Sequence, residues 1–258
     1  MPPPYKFLNY EVRDAVAWIV LNRPPLNVMN TEMLLELADA FKTASGDPSA
    51  MVIVVTGAGK VFSAGADVAD HMPEKLDAFI KAFNGVFYAM WEVDKPIIAA
   101  VNGHALGGGC ELVIACDMAI ASTEAQIGQP EIAVGVYPPI AIPIMPQLAG
   151  RMKAFELILT GDRVSGEEAA RIGLVNKAVP PDKLMDAVNE LVAKLKDKSP
   201  VVLQITKKAL KRAVQVAALK EAVEEVTRIY VDELMKTEDA VEGLKAFLEK
   251  RKPAWKGR

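Results

Sequence analysis

Two glutamates ask first for a chemical explanation. Glu111 heads the apolar run Glu111-Leu112-Val113-Ile114-Ala115-Cys116, and Glu131 leads from Gln129-Pro130 into Ile132-Ala133-Val134. An unpaired carboxylate in such surroundings is costly, and burial raises its pKa toward the range useful for proton transfer. A helix-end charge or a structural ion pair is the plainer explanation of either acid taken singly. The balance shifts because both lie close to glycine-rich backbone.

That backbone comes in two segments, Phe62-Ser63-Ala64-Gly65-Ala66-Asp67 and Asn102-Gly103-His104-Ala105-Leu106-Gly107-Gly108-Gly109-Cys110-Glu111. Small residues let backbone amides approach a ligand closely. Glycines at a helix start leave N–H groups unpaired at the positive end of the helix dipole, where a phosphate or a developing oxyanion can sit. Close helix–strand packing accounts for the triple glycine equally well. Phosphate-loop patterns do not fit, since Gly57-Ala58-Gly59-Lys60 is followed by Val61, and no G-x-G-x-x-G stands in a dinucleotide-binding context. His71 and His104 lack partners at zinc-ligand spacing, so no metal site is expected. Ser63 has no evident triad partners.

The elements that must position these groups follow from periodicity. Phe7 to Val12 and Ala15 to Asn22 read as strands flanking an Arg13-Asp14 turn. Asn30 opens a helix carrying Met33, Leu34, Leu37, Ala38 and Phe41 at helical spacing, and Asp47-Pro48 breaks it. Met51 to Thr56 is a β-branched run suited to a buried strand. A helix near Pro73 to Trp91, a strand near Pro96 to Val101, a helix opened by the triple glycine and a strand from Met118 to Ser122 complete an alternating α/β pattern. Ile132 to Gly150 is uncharged, but Pro138, Pro139, Pro143 and Pro146 fit a buried loop or pocket wall, not a membrane span. Ser165-x-x-Glu168 has the form of a capping box, and amphipathic helix follows down to Lys252. These patterns predict an α/β core at about 1–195 and a helical C-terminal part at 196–258, with no sequence repeat.

Composition narrows the function classes. A chain of 258 residues, 51% hydrophobic and 24% charged, can bury a core without a disulfide or metal staple. A net charge of −3, without a basic cluster, argues against nucleic-acid binding. The two cysteines, Cys110 and Cys116, would fall on separate faces of one helix and suit a reduced, cytoplasmic setting. Met1 to Lys6 has no apolar leader.

Taken in order, several motifs resemble the crotonase family of enoyl-CoA hydratases and isomerases over most of the chain. They are Leu21-Asn22-Arg23-Pro24, Phe62 to Asp67, Lys95-Pro96-Ile97-Ile98-Ala99-Ala100-Val101-Asn102-Gly103, Ala105 to Glu111, and Gln129-Pro130-Glu131. Leu159-Thr160-Gly161-Asp162-Arg163, Gly173-Leu174-Val175 and Phe247-Leu248-Glu249-Lys250-Arg251-Lys252 extend the similarity. The resemblance implies a spiral of ββα units and a helical C-terminal region that assembles trimers or hexamers. It implies an acyl-CoA substrate and no separate cofactor. Backbone N–H groups of Ala66 and Gly108 would form an oxyanion hole for the thioester carbonyl. Leu26, Ala64, Asp67, Val68, Phe247 and Lys250 would lie along CoA. Glu111 would orient and deprotonate a water, and Glu131 would exchange the proton beside the carbonyl.

Two departures from the family pattern bear on the substrate. Tyr137-Pro138-Pro139-Ile140 replaces a glycine-rich stretch, and in this it is similar to hydratases of cyclic dienoyl-CoA thioesters from anaerobic aromatic degradation. Ala69 stands where many hydratases carry Lys. The resemblance leaves two rivals to a hydratase, an isomerase on the same scaffold and a non-catalytic CoA- or RNA-binding member.

Overall fold

The computed structural model describes residues 4–258, so the start read from Met1 to Lys6 lies partly outside the described residues. Strands β1 (Leu8–Arg13) and β2 (Val16–Leu21) pair antiparallel. Their turn falls on Asp14 and Ala15, with φ of 50° and 61°, one residue later than expected. Two adjacent left-handed residues match the twist of a tight hairpin, and this sets the register Arg13 opposite Val16. The sheet then runs parallel through β3 (Val52–Gly57), β4 (Ile97–Val101), β6 (Met118–Ser122) and β9 (Lys177–Val179), giving six strands in the order β1-β2-β3-β4-β6-β9. A smaller sheet contains β5 (Ala105–Leu106), β7 (Gln126–Gly128) and β8 (Arg163–Ser165).

Alternate residues of a strand face opposite sides, and here both sides are covered. Ile53, Val55, Ile97, Ala99 and Val101 join the main core with α1 (Thr31–Gly46) and α2 (Leu76–Glu92). Val52, Val54, Ile98 and Ala100 pack with Leu184, Ala187, Val188 and Val192 on the opposite side. Asn30 caps α1, its side chain accepting from Met33 N at 3.1 Å. Met33, Leu34, Leu37 and Phe41 are buried as their spacing predicts, and so is Met90 of α2.

A structural repeat exists where the sequence has none. Each unit is a strand of the large sheet, a short step of a second ladder, then a helix. The units are β2, Met29 and α1; β3, Ser63 to Ala66 and α2; β4, β5 and α3 (Gly108–Ile114); then β6, β7 and the 3-10 turn Pro130–Val134. Parallel bridges Met29 to Ala66 and Ser63 to Ala105, and the pairing of β5 with β7, stitch the ladder steps together. The chain is thus an α/β spiral of ββα units. It continues through α4 (Ala141–Ala149), α5 (Arg151–Thr160), α6 (Gly166–Arg171) and α7 (Leu184–Lys196), whose apolar residues cover the second face of the large sheet. Helices α8 (Pro200–Ala213), α9 (Val216–Asp232) and α10 (Glu238–Leu248) form the C-terminal region.

Two local expectations need correction. The proline-rich stretch after Ile132 supplies a pocket wall but is not all loop, because α4 forms across Pro143 and Pro146. Pro143 sits in the first turn, where its missing N–H removes no helical bond. Pro146 lies inside the helix, which ends at Ala149. The capping box is half made: Ser165 Oγ accepts from Glu168 N at 3.1 Å, while the Glu168 carboxylate turns to Arg171. Among the described residues, no helix is long and apolar enough to cross a membrane.

Asn27 holds the loop that leads into the first glycine-rich segment. It is 1% exposed and has φ of 50°. Its Nδ2 lies 3.0, 2.8 and 3.2 Å from the carbonyls of Ala58, Val61 and Phe62, and its Oδ1 accepts from Arg23 N at 3.0 Å. Asn27→Ala leaves these groups unpaired and forces Ala into a left-handed conformation. We expect a loss of roughly 2–4 kcal/mol in urea unfolding; a change below about 1 kcal/mol would show that the loop holds without this staple.

Candidate active site

The spiral brings the two glycine-rich segments side by side. Gly108 is the first residue of α3, so its N–H has no partner within that helix. A Cβ built on Gly108 would stand 3.4 Å from Ala66 N, and one on Gly65 would stand 3.5 Å from Gly108 N. The two backbone nitrogens are therefore neighbours, and neither donates to a backbone carbonyl among the described residues. Each glycine of the triplet has its own reason. A Cβ on Gly107 would lie 2.6 Å from Glu131 Oε1, and Gly107 has φ of 53°. On Gly108 it would meet Phe83 at 3.0 Å, and on Gly109 it would meet Ser63 O at 2.4 Å. Close packing explains Gly109; the cavity and its carboxylate explain Gly107 and Gly108.

A cavity of about 410 Å³ opens beside these nitrogens, lined by Ala64, Ala66, Val68, Gly108, Glu111, Glu131 and Phe247. Glu111 is 1% exposed, and its Oε1 accepts from Ile140 N at 2.7 Å and Ala141 N at 2.9 Å, where α4 begins. Burial pushes its pKa up to about 7, against the pull of those two N–H groups. Glu131 is half-buried on the 3-10 turn after β7, where burial and then the charge of Glu111 raise its pKa well above the usual carboxylate range. Gln129 is buried behind it. With its amide nitrogen turned toward Glu131, it lies 3.2 Å from both carboxylate oxygens and from Gly107 O.

The acids are thus ordered. Glu111 has two external N–H donors stabilising its charge, whereas the Glu131 charge would have to form beside that of Glu111. Ionising both would place two negative charges in one site, so the pair releases its first proton more readily than its second. One acid and one base then face a single space beside two bare backbone donors. Such a site can take a proton from one atom, deliver one to another, and stabilise an oxyanion between them.

Not every residue singled out from sequence reaches the cavity. Leu26 is exposed, and its carbonyl accepts from Ala64 N at 2.9 Å. Asp67 Oδ2 pairs with Arg23 Nη1 at 3.2 Å and Oδ1 accepts from Ala69 N. Lys250 is exposed beyond α10, at φ of 54°. These three lie outside the lining. Conversely, His71, Phe79, Phe83, Tyr137, Pro139, Arg163 and Tyr230 line the cavity. His71 stacks on Phe79 with ring centroids 4.2 Å apart, and burial lowers its pKa. No local signal marks Phe79, Phe83 and Tyr230, because distant segments bring them together; Tyr137 and Pro139 fall in the stretch that departs from the family pattern, and Arg163 ends a stretch that matches it.

A strand–ladder–helix spiral with paired acids and bare backbone donors around one cavity defines a crotonase-type protein. A model of the enoyl-CoA hydratase/isomerase family matches residues 11–258, and the chain belongs to that family. It is 36% identical over 259 residues to the crotonyl-CoA hydratase of Syntrophomonas wolfei, covering 96% of this chain and 97% of that one. Identity to the 2,3-dehydroadipyl-CoA hydratase of Escherichia coli K12 is 35% over 249 residues, covering 95% and 97%. The crystal structure of an enoyl-CoA hydratase from Mycobacterium avium subsp. paratuberculosis superposes with a TM-score of 0.88 at 29% identity, covering 98% of this chain and 100% of that one.

The raised pKa of Glu111 makes a prediction about stability. Between its ordinary value of 4.5 and about 7, the native state holds a proton that the unfolded chain has released. Stability from this group therefore falls as pH rises through that window and levels off above it. Glu111→Gln removes its share of the slope while keeping an oxygen for Ile140 N and Ala141 N. The Tm of the variant should gain on wild type from pH 4.5 to 7.5; parallel Tm profiles would show that Glu111 does not titrate there.

Proposed function

We propose that the protein is a hydro-lyase that adds water to an α,β-unsaturated acyl-CoA thioester. The observation that carries this reading is the pair of acids, Glu111 and Glu131, lining one cavity beside the backbone N–H groups of Ala66 and Gly108; in it Glu111 would act as base and Glu131 as acid. The thioester oxygen would sit against the N–H groups of Ala66 and Gly108. Glu111 would take a proton from water as its oxygen bonds to the β-carbon, and the alkene pair would shift onto the thioester as an enolate. Glu131 would then give its proton to the α-carbon, and the double bond would be consumed. The pair ends with one proton, as it began, now on Glu111, and a proton shift through solvent resets it. Fixed dipoles stabilise the enolate without reorganising. Ala64, Val68 and Phe247 line the cavity and would contact CoA; Leu26, Asp67 and Lys250 would do so from outside the lining described, nearer the surface.

For the acyl group we favour a cyclic dienoyl thioester, such as cyclohexa-1,5-diene-1-carbonyl-CoA. Pro139, Tyr137, Phe79 and Phe83 give the cavity flat, rigid walls, and about 410 Å³ is within the range of small-molecule sites. The named relatives act on crotonyl-CoA and 2,3-dehydroadipyl-CoA, so an open-chain substrate is the direct competitor. The test is a hydration assay in ¹⁸O-labelled water with cyclohexa-1,5-diene-1-carbonyl-CoA and crotonyl-CoA. Label uptake is expected with the cyclic thioester; uptake with crotonyl-CoA alone overturns the cyclic assignment. Double-bond migration without label makes the protein an isomerase. Glu131→Gln should lower kcat at least about 1,000-fold with thioester binding nearly intact.

We further propose that the chain works as a homotrimer or paired trimers in the cytoplasm, with 196–258 as the assembling region. Within that region α8 exposes Val201, Val202 and Ile205, and outside it α5 adds the exposed Met152, Phe155 and Leu159 as a further apolar face for a neighbouring copy. Sedimentation velocity should give three or six times the 27.9 kDa chain mass; a monomer would refute the assembly.

A further inference from the structure

His71 lines the cavity, and the chemistry above leaves it without a task. It ends the 3-10 turn Val68–His71, where residues three apart stand one above the other, and both ends of the turn line the cavity. Its Nδ1 lies 3.0 Å from Asp67 O. A carbonyl only accepts, so Nδ1 carries a proton and donates it to that bond. Burial lowers the pKa of the ring, which is neutral at physiological pH, and Nε2 is then a bare lone pair.

Nε2 has no hydrogen-bond partner among the described residues, yet it is not one of the partnerless polar atoms closed to solvent, which are Tyr10 Oη, Asn84 Oδ1 and Tyr230 Oη. It therefore keeps accessible surface. Protein encloses most of the ring, which is what lowers its pKa, so that surface opens on the cavity the ring lines. The carboxylates beside it are engaged elsewhere, Asp70 with Thr31 and Lys75, Asp67 with Arg23 and Ala69 N. An aromatic row sets the place of His71 in the cavity. Phe83 stands against Gly108, where the thioester carbonyl would be held; Phe79 follows with centroids 5.6 Å apart, and His71 follows Phe79 at 4.2 Å. An acyl group lying along this row from its carbonyl would bring its far end to His71. Phenylalanine in place of His71 would continue the row, so packing asks for a ring and not for its second nitrogen. An apolar acyl group would strip Nε2 of water and leave it unpaired, whereas a hydroxyl there replaces the water.

We propose, on the footing of the acyl-CoA reading above, that His71 Nε2 accepts a hydrogen bond from a hydroxyl that the acyl group carries beyond its reacting carbons. The substrate class is then a hydroxylated acyl thioester, and in the cyclic case one with the hydroxyl on the ring. His71 determines specificity: it moves no proton at the reacting carbons, and it tells two thioesters apart by one oxygen. The competing donors are the N–H and O–H groups of CoA itself. Every thioester shares those, so the two sources are separable.

Binding of saturated, unreactive thioesters tests this without turnover. Wild type and His71→Phe are titrated, at a pH that keeps the imidazole neutral, with cyclohexanecarbonyl-CoA, its 3-hydroxy and 4-hydroxy derivatives, and acetyl-CoA. Wild type should bind at least one hydroxylated ring about 5–10-fold more tightly than the unsubstituted ring, the worth of one hydrogen bond. His71→Phe should erase that preference, with the loss falling on the hydroxylated ring. No preference in wild type, or a preference that survives in the variant, overturns the proposal. Equal weakening of all the thioesters, acetyl-CoA included, assigns Nε2 to CoA and overturns it too. Should Phe impair folding, His71→Met, whose flexible chain fits irregular gaps, gives the same comparison. The ¹⁸O assay separates the readings. Wild type that prefers the hydroxylated ring but takes up no label defeats the hydratase and keeps this site, whereas label uptake without the preference defeats this site alone. Wild type that binds none of the thioesters defeats both.

Discussion

The bond between the Glu111 carboxylate and the first N–H groups of α4 ties the site to the fold. Helix α3 carries the acid, and Ile140 N and Ala141 N supply the donors. Without the carboxylate, the buried start of α4 would hold unpaired N–H groups; without α4, a buried charge would stand uncompensated. Each therefore specifies the position of the other. Both bonds go to Oε1, so the other oxygen is not tied by them. One interaction thus docks α4 onto α3, orients a carboxylate and limits how far burial raises its pKa.

The spiral then gives that interaction its surroundings. Each unit ends its ladder step where a helix or 3-10 turn begins, and those starts share one end of the second ladder. Ala66 follows the step at Ser63, Gly108 follows β5, and Glu131 follows β7. The bare N–H of Gly108 is a normal feature of a helix start, whereas that of Ala66 lies on the ladder step before the 3-10 turn Val68–His71; bringing the two together with two acids requires the repeat. The glycines are what close approach demands: with a Cβ, Gly107 would displace Glu131 and Gly109 would strike the Ser63 carbonyl.

Much of this was legible in the residues, for physical reasons that also mark where legibility stops. Strands buried on both faces are continuous apolar runs, so Val52–Gly57 and Ile97–Val101 stand out. Glu111 and Glu131 stand out because carboxylates are rare in apolar runs. The second ladder has no such mark, since the steps at Met29 and Ser63 are isolated bridges and β5 has only two residues. Asn27 looks like an ordinary loop residue until three carbonyls converge on it. Tyr230 lies on an amphipathic helix where any large side chain would fit the pattern, and only the fold shows that its hydroxyl is buried without a partner. Glu168 fits a capping box by spacing, but Arg171 on the same face competes for it and wins with two charged hydrogen bonds.

In the proposed reaction, the coupling between the two acids would time the proton transfers. Glu131 holds its proton first because its carboxyl is withdrawn from water, and then because ionising it would place two negative charges in one site. The second penalty lasts only while Glu111 is charged. When Glu111 takes a proton from water, the repulsion is lifted and Glu131 becomes a stronger acid, at the moment the α-carbon needs a proton. Gln129, with its amide nitrogen toward Glu131, would stabilise the carboxylate left behind. The pair therefore needs no external relay to coordinate its steps. Moving one proton onto the base lowers the cost of releasing the other from the acid, and the low polarity of the cavity makes that exchange of charge large enough to matter.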